Sequence, residues 1–296
     1  MIKRTVVVGS PAYLCIRNQQ LVIDAKENGE HTVPIEDMAI LIVDNVAVTY
    51  TQNLLIALNE NNIVLIVCDE KHLPCSLLLA LDNHSIHSRI VNLQANMPRP
   101  IAKSLWQKII KGKINAQIRV LKSLGRNYEG LKRLSLKIKS GDPDNCEAQA
   151  ARIYWLELFG KEFRRDQALN GINALLNYGY ILLRSAVARA IVGTGLHPAL
   201  GIFHKNKYNN FCLADDLLEP LRPLVDITVH ELLQKFDEQA IENFSKEIKQ
   251  ELIRLLEFNC LFNEKRLPIL VSIDLYTANI KQFMCEETKE IIIPEL

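Results

Sequence analysis

Four ionisable residues carry the strongest chemical signal in this sequence. His204 is followed within the same segment by the acids Asp216 and Glu219, and a further acid, Glu147, lies earlier in the chain. The later three residues lie in a strongly apolar, otherwise helical half of the chain. Ionisable groups in apolar surroundings are costly unless they are paired or bind a cation. Carboxylates with one imidazole and open water positions suit Mg²⁺ or Mn²⁺, and the imidazole favours Mn²⁺. Such an ion polarises a phosphoryl oxygen and activates a hydroxyl nucleophile, so the residues predict a divalent-metal site.

Each of the later residues also has an ordinary structural explanation. His204 would serve as a core or surface side chain, and Asp215 or Asp216 as a helix N-cap. An acid beside Arg222 would equally form a simple salt bridge. Because Asp216 and Glu219 are three residues apart, they face the same way on a helical turn. The residues alone leave open which of these two acids binds the ion.

Glu147 is expected in the first turn of a helix. The segment 141–145 is rich in Gly, Pro, Asp and Asn, which end one helix and start the next. On the following helix Glu147 shares a face with Tyr154 and Trp155. The alternative is a capping box, in which Asp144 caps the helix and Glu147 reaches back to it. Both roles are compatible.

The segment 99–139 is strongly basic. It holds twelve bases and one acid, an excess of 12 − 1 = 11. A solvated helix face normally mixes charges of both signs, so this surface predicts polyanion binding that is strongest at low salt. The candidate contacts lie in this segment and just after it: Lys103, Lys108, Lys111, Lys113, Arg119, Arg152, Arg164 and Arg165.

Composition excludes several classes of protein. The seven cysteines include no Cys-x-x-Cys pair, which argues against a disulfide framework and a thiolate zinc site and fits a reducing cytoplasm. No segment has about 18 uninterrupted apolar residues, so a membrane span is not expected. The first residues, 1–9, are typical of a strand and not of a signal peptide. We expect a cytoplasmic protein with no membrane partner.

The chain changes character near residue 80. Before that point, short β-rich runs alternate with turn signals around one helix at 51–59, and after it the apolar spacing is helical. We therefore predict an α+β fold. A small, mostly antiparallel N-terminal β domain spans 1–81, a linker spans 82–100, and a larger all-α domain over 101–296 carries the metal site.

Several ordered segments resemble one family, the CRISPR adaptation integrases, which are the metal-dependent subunits that insert new spacers. The segment 147–155 resembles the family's first acidic motif and 173–180 its central helix. The segments 195–204 and 213–226 resemble its His and last-acid motifs. The resemblance covers nearly the whole chain, since the family also has a small N-terminal β domain and a larger helical one.

The resemblance implies specific roles for the four residues. Glu147, His204 and Glu219 would be the catalytic residues that hold Mg²⁺ or Mn²⁺, with Asp216 as an accessory acid. Many relatives have Asp at the position of Glu219. The pair of acids at Asp216 and Glu219, together with the compact length, is most similar to the type II branch.

The resemblance also implies a reaction and partners. A 3′-hydroxyl of incoming DNA would attack a phosphodiester at the repeat boundary, and water in its place would give endonuclease activity. The implied partners are double-stranded DNA (spacer precursor and CRISPR repeat), a second copy joined through the β domain, and a small companion subunit. The basic segment would then be the DNA track. One alternative is a non-catalytic, basic DNA-binding scaffold, and another is a small-molecule metallohydrolase.

Overall fold

The N-terminal part of the chain is a β domain with one helix. The computed structural model describes residues 3–25, 29–81, 84–166 and 169–296. The N-terminal elements are β1 (Arg4–Val8), β2 (Tyr13–Arg17), β3 (Gln20–Ala25), β4 (Gly29–Pro34), β5 (Met38–Val43), β6 (Thr49–Tyr50), α1 (Gln52–Glu60), β7 (Val64–Cys68) and β8 (Pro74–Leu78). They confirm the predicted β domain and its single helix, which Thr51 caps through its side chain.

The strands form two four-stranded sheets, in the orders β1-β5-β7-β8 and β4-β3-β2-β6. The pairing is more evenly divided than the expected, mostly antiparallel arrangement. Three pairs are antiparallel, β2–β3, β3–β4 and β7–β8, and three are parallel, β1–β5, β5–β7 and β2–β6. The physical reason is the connections, because β2 to β4 separate β1 from β5 and α1 separates β5 from β7, and crossovers of this length permit parallel pairing.

The remainder of the chain is mainly helical. Its elements are α2 (His87–Ala95), α3 (Arg99–Ser123), α4 (Glu129–Lys137), α5 (Cys146–Phe159), α6 (Ile172–Gly193), α7 (Cys212–Leu218), α8 (Arg222–Lys235), α9 (Glu238–Glu242), α10 (Lys246–Ile253), β9 (Asn259–Phe262), β10 (Lys265–Pro268) and α11 (Ile269–Met284). The hairpin β9–β10 corrects the all-α expectation. Asn263 and Glu264 have φ of 50° and 64°, which a two-residue hairpin turn requires. Helix α2 lies inside the predicted linker.

Strand β5 joins the two parts of the molecule. All six of its residues are buried. Ile40 and Ile42 belong to the large core that contains helices α3, α6 and α11, while Leu41 and Val43 belong to the smaller core of the β domain. Because successive side chains of a strand point to opposite faces, one strand contributes to both cores.

Helix α6 is the central helix of the larger core. Of the helices in the described residues, it alone has the length and apolar composition to cross a membrane, and 83% of its apolar window is buried inside the protein. Helix α11 packs along it, and α7 and α8 flank it. Asp216 lies on α7 and Glu219 follows it directly, so α6 borders this part of the candidate site.

Candidate active site

Helix α3 supports the site with two side chains on one face. Trp106 is 1% exposed, and the Lys113 side chain, two helical turns further on, is 12% exposed. The basic charge of 99–139 predicts Lys113 as a DNA contact, and no sequence motif singles out Trp106. Their burial on the side of the catalytic motifs makes both part of the site.

Glu147 extends from the first turn of α5 towards Lys113. Asn145 is the N-cap residue and Asp142 accepts hydrogen bonds from the backbone N–H groups of Cys146 and Glu147, at 2.8 and 2.9 Å. The capping-box alternative with Asp144 is therefore wrong. With the backbone donors satisfied by other side chains, Glu147 Oε1 is left to accept a hydrogen bond of 2.7 Å from Lys113 Nζ.

Glu219 is a buried, ionised acid in the 3₁₀ turn between α7 and α8. Its Oε1 accepts a hydrogen bond of 2.9 Å from Arg222 Nε, and its Oε2 lies 2.5 Å from Lys113 Nζ. Burial alone would raise the pKa of Glu219, but Arg222 and Lys113 outweigh it and lower that pKa. The salt bridge foreseen as an alternative is present. Glu219 contacts Lys113 as well, so the salt bridge does not exclude a place in the site.

His204 lies on a loop that Asp216 holds in place. Asp216 on α7 is fully buried, and its Oδ2 accepts hydrogen bonds from the backbone of Ile202 and Phe203, at 2.6 and 2.9 Å. Its Oδ1 lies 2.5 Å from His204 Nδ1. This bond to Asp216 raises the pKa of His204. Because Nδ1 is engaged, Nε2 is the nitrogen left for a ligand.

The same loop rests on Trp106. The Phe203 ring stacks on the indole with centroids 4.3 Å apart and planes within 3°. The His204 imidazole meets the indole edge-on at 5.7 Å. Sequence reasoning missed Trp106, since nothing in the spacing of α3 distinguishes it from neighbouring core residues.

The two acids converge, but no complete ligand set is assembled. In the described ranges, no group of three or more His, Cys, Asp or Glu side chains is arranged to hold a metal. The point shared by Glu147 and Glu219 is instead occupied by the Lys113 ammonium. The negative charges of Glu219 and Glu147 both raise the pKa of His204, so the imidazole is within electrostatic range of the two carboxylates.

The predicted basic contacts divide into two groups. Lys103, Lys111, Arg152 and Arg164 are exposed, Lys108 is partly exposed, and Arg119 lies 3.6 Å from Glu295. Arg165 instead donates hydrogen bonds to Asn173 and Asn177, at 2.9 and 2.7 Å, and Lys113 is bound by the two acids. The first group remains a basic surface, whereas Arg165 and Lys113 have partners inside the protein.

A second polar cluster adjoins Glu219 and was not foreseen. Asp226 is 1% exposed and accepts a hydrogen bond from the Tyr180 hydroxyl. The Arg222 guanidinium lies 4.6 Å from the centre of the Tyr180 ring. Burial raises the pKa of Asp226 to about 7. These residues, with Lys113 and Glu219, line a cavity of about 310 Å³.

The sequence and the fold match one family throughout. A family model described as CRISPR associated protein Cas1 matches residues 5–255. The CRISPR-associated endonuclease Cas1 of Neisseria meningitidis serogroup C (strain 8013) is 38% identical over 99% of this chain and 96% of its own length.

Two solved structures show the same fold. A casposase bound to integration product superposes with a TM-score of 0.77, at 19% identity, covering 98% of this chain and 92% of that one. A chain of a Cas6-RT-Cas1–Cas2 complex superposes with a TM-score of 0.72, at 18% identity, covering 97% of this chain and 35% of that one. The family match covers most of the chain, and the chain therefore belongs to the family of CRISPR-associated Cas1 proteins.

Proposed function

We propose that this protein is a divalent-metal-dependent DNA integrase and endonuclease of CRISPR adaptation. It would insert spacer DNA into the repeat array by attack of a 3′-hydroxyl on a phosphodiester. The observation that carries the proposal is the convergence of Glu147 and Glu219, from separate helices, on one cation. Convergent carboxylates around a positive charge are the donor set that a hard divalent ion requires.

Glu147, Glu219 and His204 Nε2 would hold Mg²⁺ or Mn²⁺. When bound, the ion polarises the phosphoryl group and stabilises the charge that develops on it. The Lys113 ammonium lies between the two carboxylates, which supports a cation site there. Asp216 would act as the accessory acid, because its bond to Nδ1 orients the imidazole and fixes its tautomer.

Arg222 would keep the Glu219 carboxylate ionised and would fix its orientation. Its Nε donates to Glu219 Oε1, and its guanidinium lies against the Tyr180 ring. A carboxylate held by a guanidinium on one oxygen presents the other oxygen, Oε2, to the centre of the site.

DNA would be bound along basic residues of α3, of α5 and of the loop after α5, namely Lys103, Lys108, Lys111, Arg119, Arg152 and Arg164. The similarity to a casposase bound to integration product supports an integration reaction, and the similarity to a chain of a Cas6-RT-Cas1–Cas2 complex supports a companion subunit. A homodimer joined through the β domain, with exposed Tyr13 and Tyr50 on neighbouring strands, completes the proposal. The type II branch and the boundaries at 81 and 100 stay predictions.

The test is half-site integration of a short duplex into a repeat-bearing plasmid, with Mn²⁺, with Mg²⁺ and with EDTA. We expect metal-dependent strand transfer by the wild-type protein. Glu147→Gln and His204→Ala should reduce its rate by at least about 100-fold, because each removes a ligand of the ion. Glu129→Gln, an exposed acid on α4, is the matched control and should retain the wild-type rate. Wild-type rates in both ligand variants would contradict the assignment.

The basic face of α3 also favours a second candidate, a DNA-binding scaffold without catalysis. Titration calorimetry separates the two functions. A protein that binds DNA in a salt-sensitive way but takes up no Mn²⁺ or Mg²⁺ would be the scaffold. DNA affinity without salt dependence would instead favour the small-molecule metallohydrolase.

A further inference from the structure

The Lys113 ammonium stands between the two acids of the candidate metal site. Its Nζ is 2.7 Å from Glu147 Oε1 and 2.5 Å from Glu219 Oε2. Only 12% of the Lys113 side chain and 6% of the Glu219 side chain are exposed. Water therefore does little to separate these charges, and a cation in this place is what allows the two carboxylates to converge.

The two acids depend on Lys113 to different degrees. Glu219 has a second cation, Arg222, at 2.9 Å. Among the residues that the structure describes, Lys113 is the single ion-pair partner of Glu147. Removal of the ammonium would leave Glu147, whose side chain is 23% exposed, facing the buried Glu219 without a counter-charge, which is destabilising.

We propose that Lys113 is the built-in counter-cation of the metal site. In the metal-free protein its ammonium holds Glu147 and Glu219 together, and Glu147, Glu219 and His204 would hold a divalent ion in its place. The proposal rests on the proposed function, because it takes these acids as ligands of the ion. Lys113 is then a positioning residue in the interior of the protein. It is not the DNA contact that the basic charge of α3 had predicted.

The displaced ammonium has a place to go. Lys113 lies on the wall of the cavity of about 310 Å³, together with Gln117, Tyr180 and Asp226. The flexible stem of a lysine lets its charge move by rotation about single bonds. The Asp226 carboxyl on the same wall would be the acceptor of the displaced ammonium.

The test compares Lys113→Met with Lys122→Met. The first keeps a flexible, unbranched side chain and removes its charge, and the second does the same at an exposed position of the same helix. The Tm of the full-length protein is measured in EDTA and in saturating MnCl₂. In EDTA, Lys113→Met should lower Tm by about 6–10 °C, because the facing acids lose their counter-cation. Mn²⁺ should restore most of this loss, and Lys122→Met should match wild type in both conditions.

Calorimetric titration with Mn²⁺ supplies a second readout. Because the ion no longer competes with the ammonium, Lys113→Met should bind Mn²⁺ at least about fivefold more tightly than wild type. Weaker binding, or an equal loss of Tm in EDTA and in Mn²⁺, would overturn the proposal, since both results are those of a residue that only packs.

A double variant keeps the test decisive if Lys113→Met alone does not fold. In the background of Glu147→Gln the facing charge is gone, so Lys113→Met should cost little Tm in EDTA. A full-sized loss in that background would contradict a counter-cation. If the wild-type protein binds no Mn²⁺, the proposed function and the exchange both fail. If it binds Mn²⁺ and Lys113→Met is unchanged, the present proposal alone fails.

Discussion

Asp216 and Glu219 lie one helical turn apart, yet their carboxylates have different partners. Asp216 accepts hydrogen bonds from the backbone around His204 and from its imidazole, whereas Glu219 faces Lys113 and Arg222. Backbone N–H groups hold Asp216 in place, whereas one of the two partners of Glu219 is the ammonium of a flexible lysine side chain. We therefore propose Glu219, and not Asp216, as the acid that binds the ion.

At the residue scale, Asp226 predicts a specific pH dependence of stability. Its folded-state pKa is raised from 3.8 to about 7 by burial. Between these two values the folded state holds a proton that the unfolded state releases, so stability falls as pH rises from about 4 to 7 and then levels off. Asp226→Asn keeps a neutral side chain of the same shape and should remove this part of the fall. The Tm of Asp226→Asn should therefore exceed that of wild type by several degrees at pH 8 and by much less at pH 4.

Thermal melts of both proteins across this range test the prediction. The groups that lower the pKa of Asp226 against the effect of burial are Tyr180, Tyr154, Arg222 and Lys113, and all of these are ordinarily in a single protonation state between pH 4 and 8. An identical slope of Tm against pH in wild type and Asp226→Asn would contradict the assignment.

The types of residue in the sequence predicted the acids of the candidate site but not the residues that hold them in place. Glu147 was placed correctly in the first turn of a helix, because Gly, Pro and Asx residues mark that boundary in the sequence. The burial of Lys113 could not be read in the same way. A lysine among other lysines predicts a solvated surface. Lys113 is buried because Glu147 and Glu219, which are distant in the sequence, both contact its ammonium.

At the scale of elements, the His204 loop depends on the absence of a side chain at Gly201. A Cβ there would lie 2.2 Å from the His204 carbonyl oxygen, 2.9 Å from Cys212 Cβ and 3.1 Å from Asp216 Oδ2. Gly201→Ala must therefore shift the backbone that carries His204. We expect a roughly 10–100-fold loss of Mn²⁺ affinity, the range seen when supports of metal ligands are disturbed.

Calorimetry with Gly201→Ala and Gly9→Ala tests this expectation. A Cβ at Gly9 meets no atom within 4 Å, so the control should bind Mn²⁺ like wild type. Wild-type affinity in Gly201→Ala would show that the loop adjusts without moving the imidazole.

Element types followed from periodicity, while their pairing did not. The apolar spacing over 51–59 predicted a helix that the structure places at Gln52–Glu60. Which strands lie side by side depends on contacts between distant segments, and alternation within one strand carries no information about them. The β9–β10 hairpin was missed because Asn263-Glu264 is a weaker turn signal than Asn-Gly.

At the scale of the whole molecule, the net charge of +1 combines the strongly basic segment 99–139 with a more acidic C-terminal part. DNA affinity should fall steeply with salt, with log K against log[salt] decreasing by about 0.9 for each phosphate neutralised. Lys111→Met, at an exposed position of α3, should reduce that slope by about 1. Lys246→Met, an exposed lysine of the more acidic C-terminal part, should leave the slope unchanged.

Fluorescence anisotropy of labelled duplex DNA over a range of KCl concentrations measures both slopes. Equal slopes for wild type and Lys111→Met would remove this residue from the DNA track. An equal reduction by Lys246→Met would show that the salt effect reports overall charge and not a defined surface.

Strand β5 has a consequence for how the protein behaves as a thermodynamic system. Its alternate residues, such as Ile40 and Leu41, belong to two different cores, so neither core is complete without it. The β domain and the helices around the catalytic residues therefore unfold as one cooperative unit. Under mass action, any molecule that binds only the folded β domain also raises the fraction of chains whose distant catalytic site is assembled.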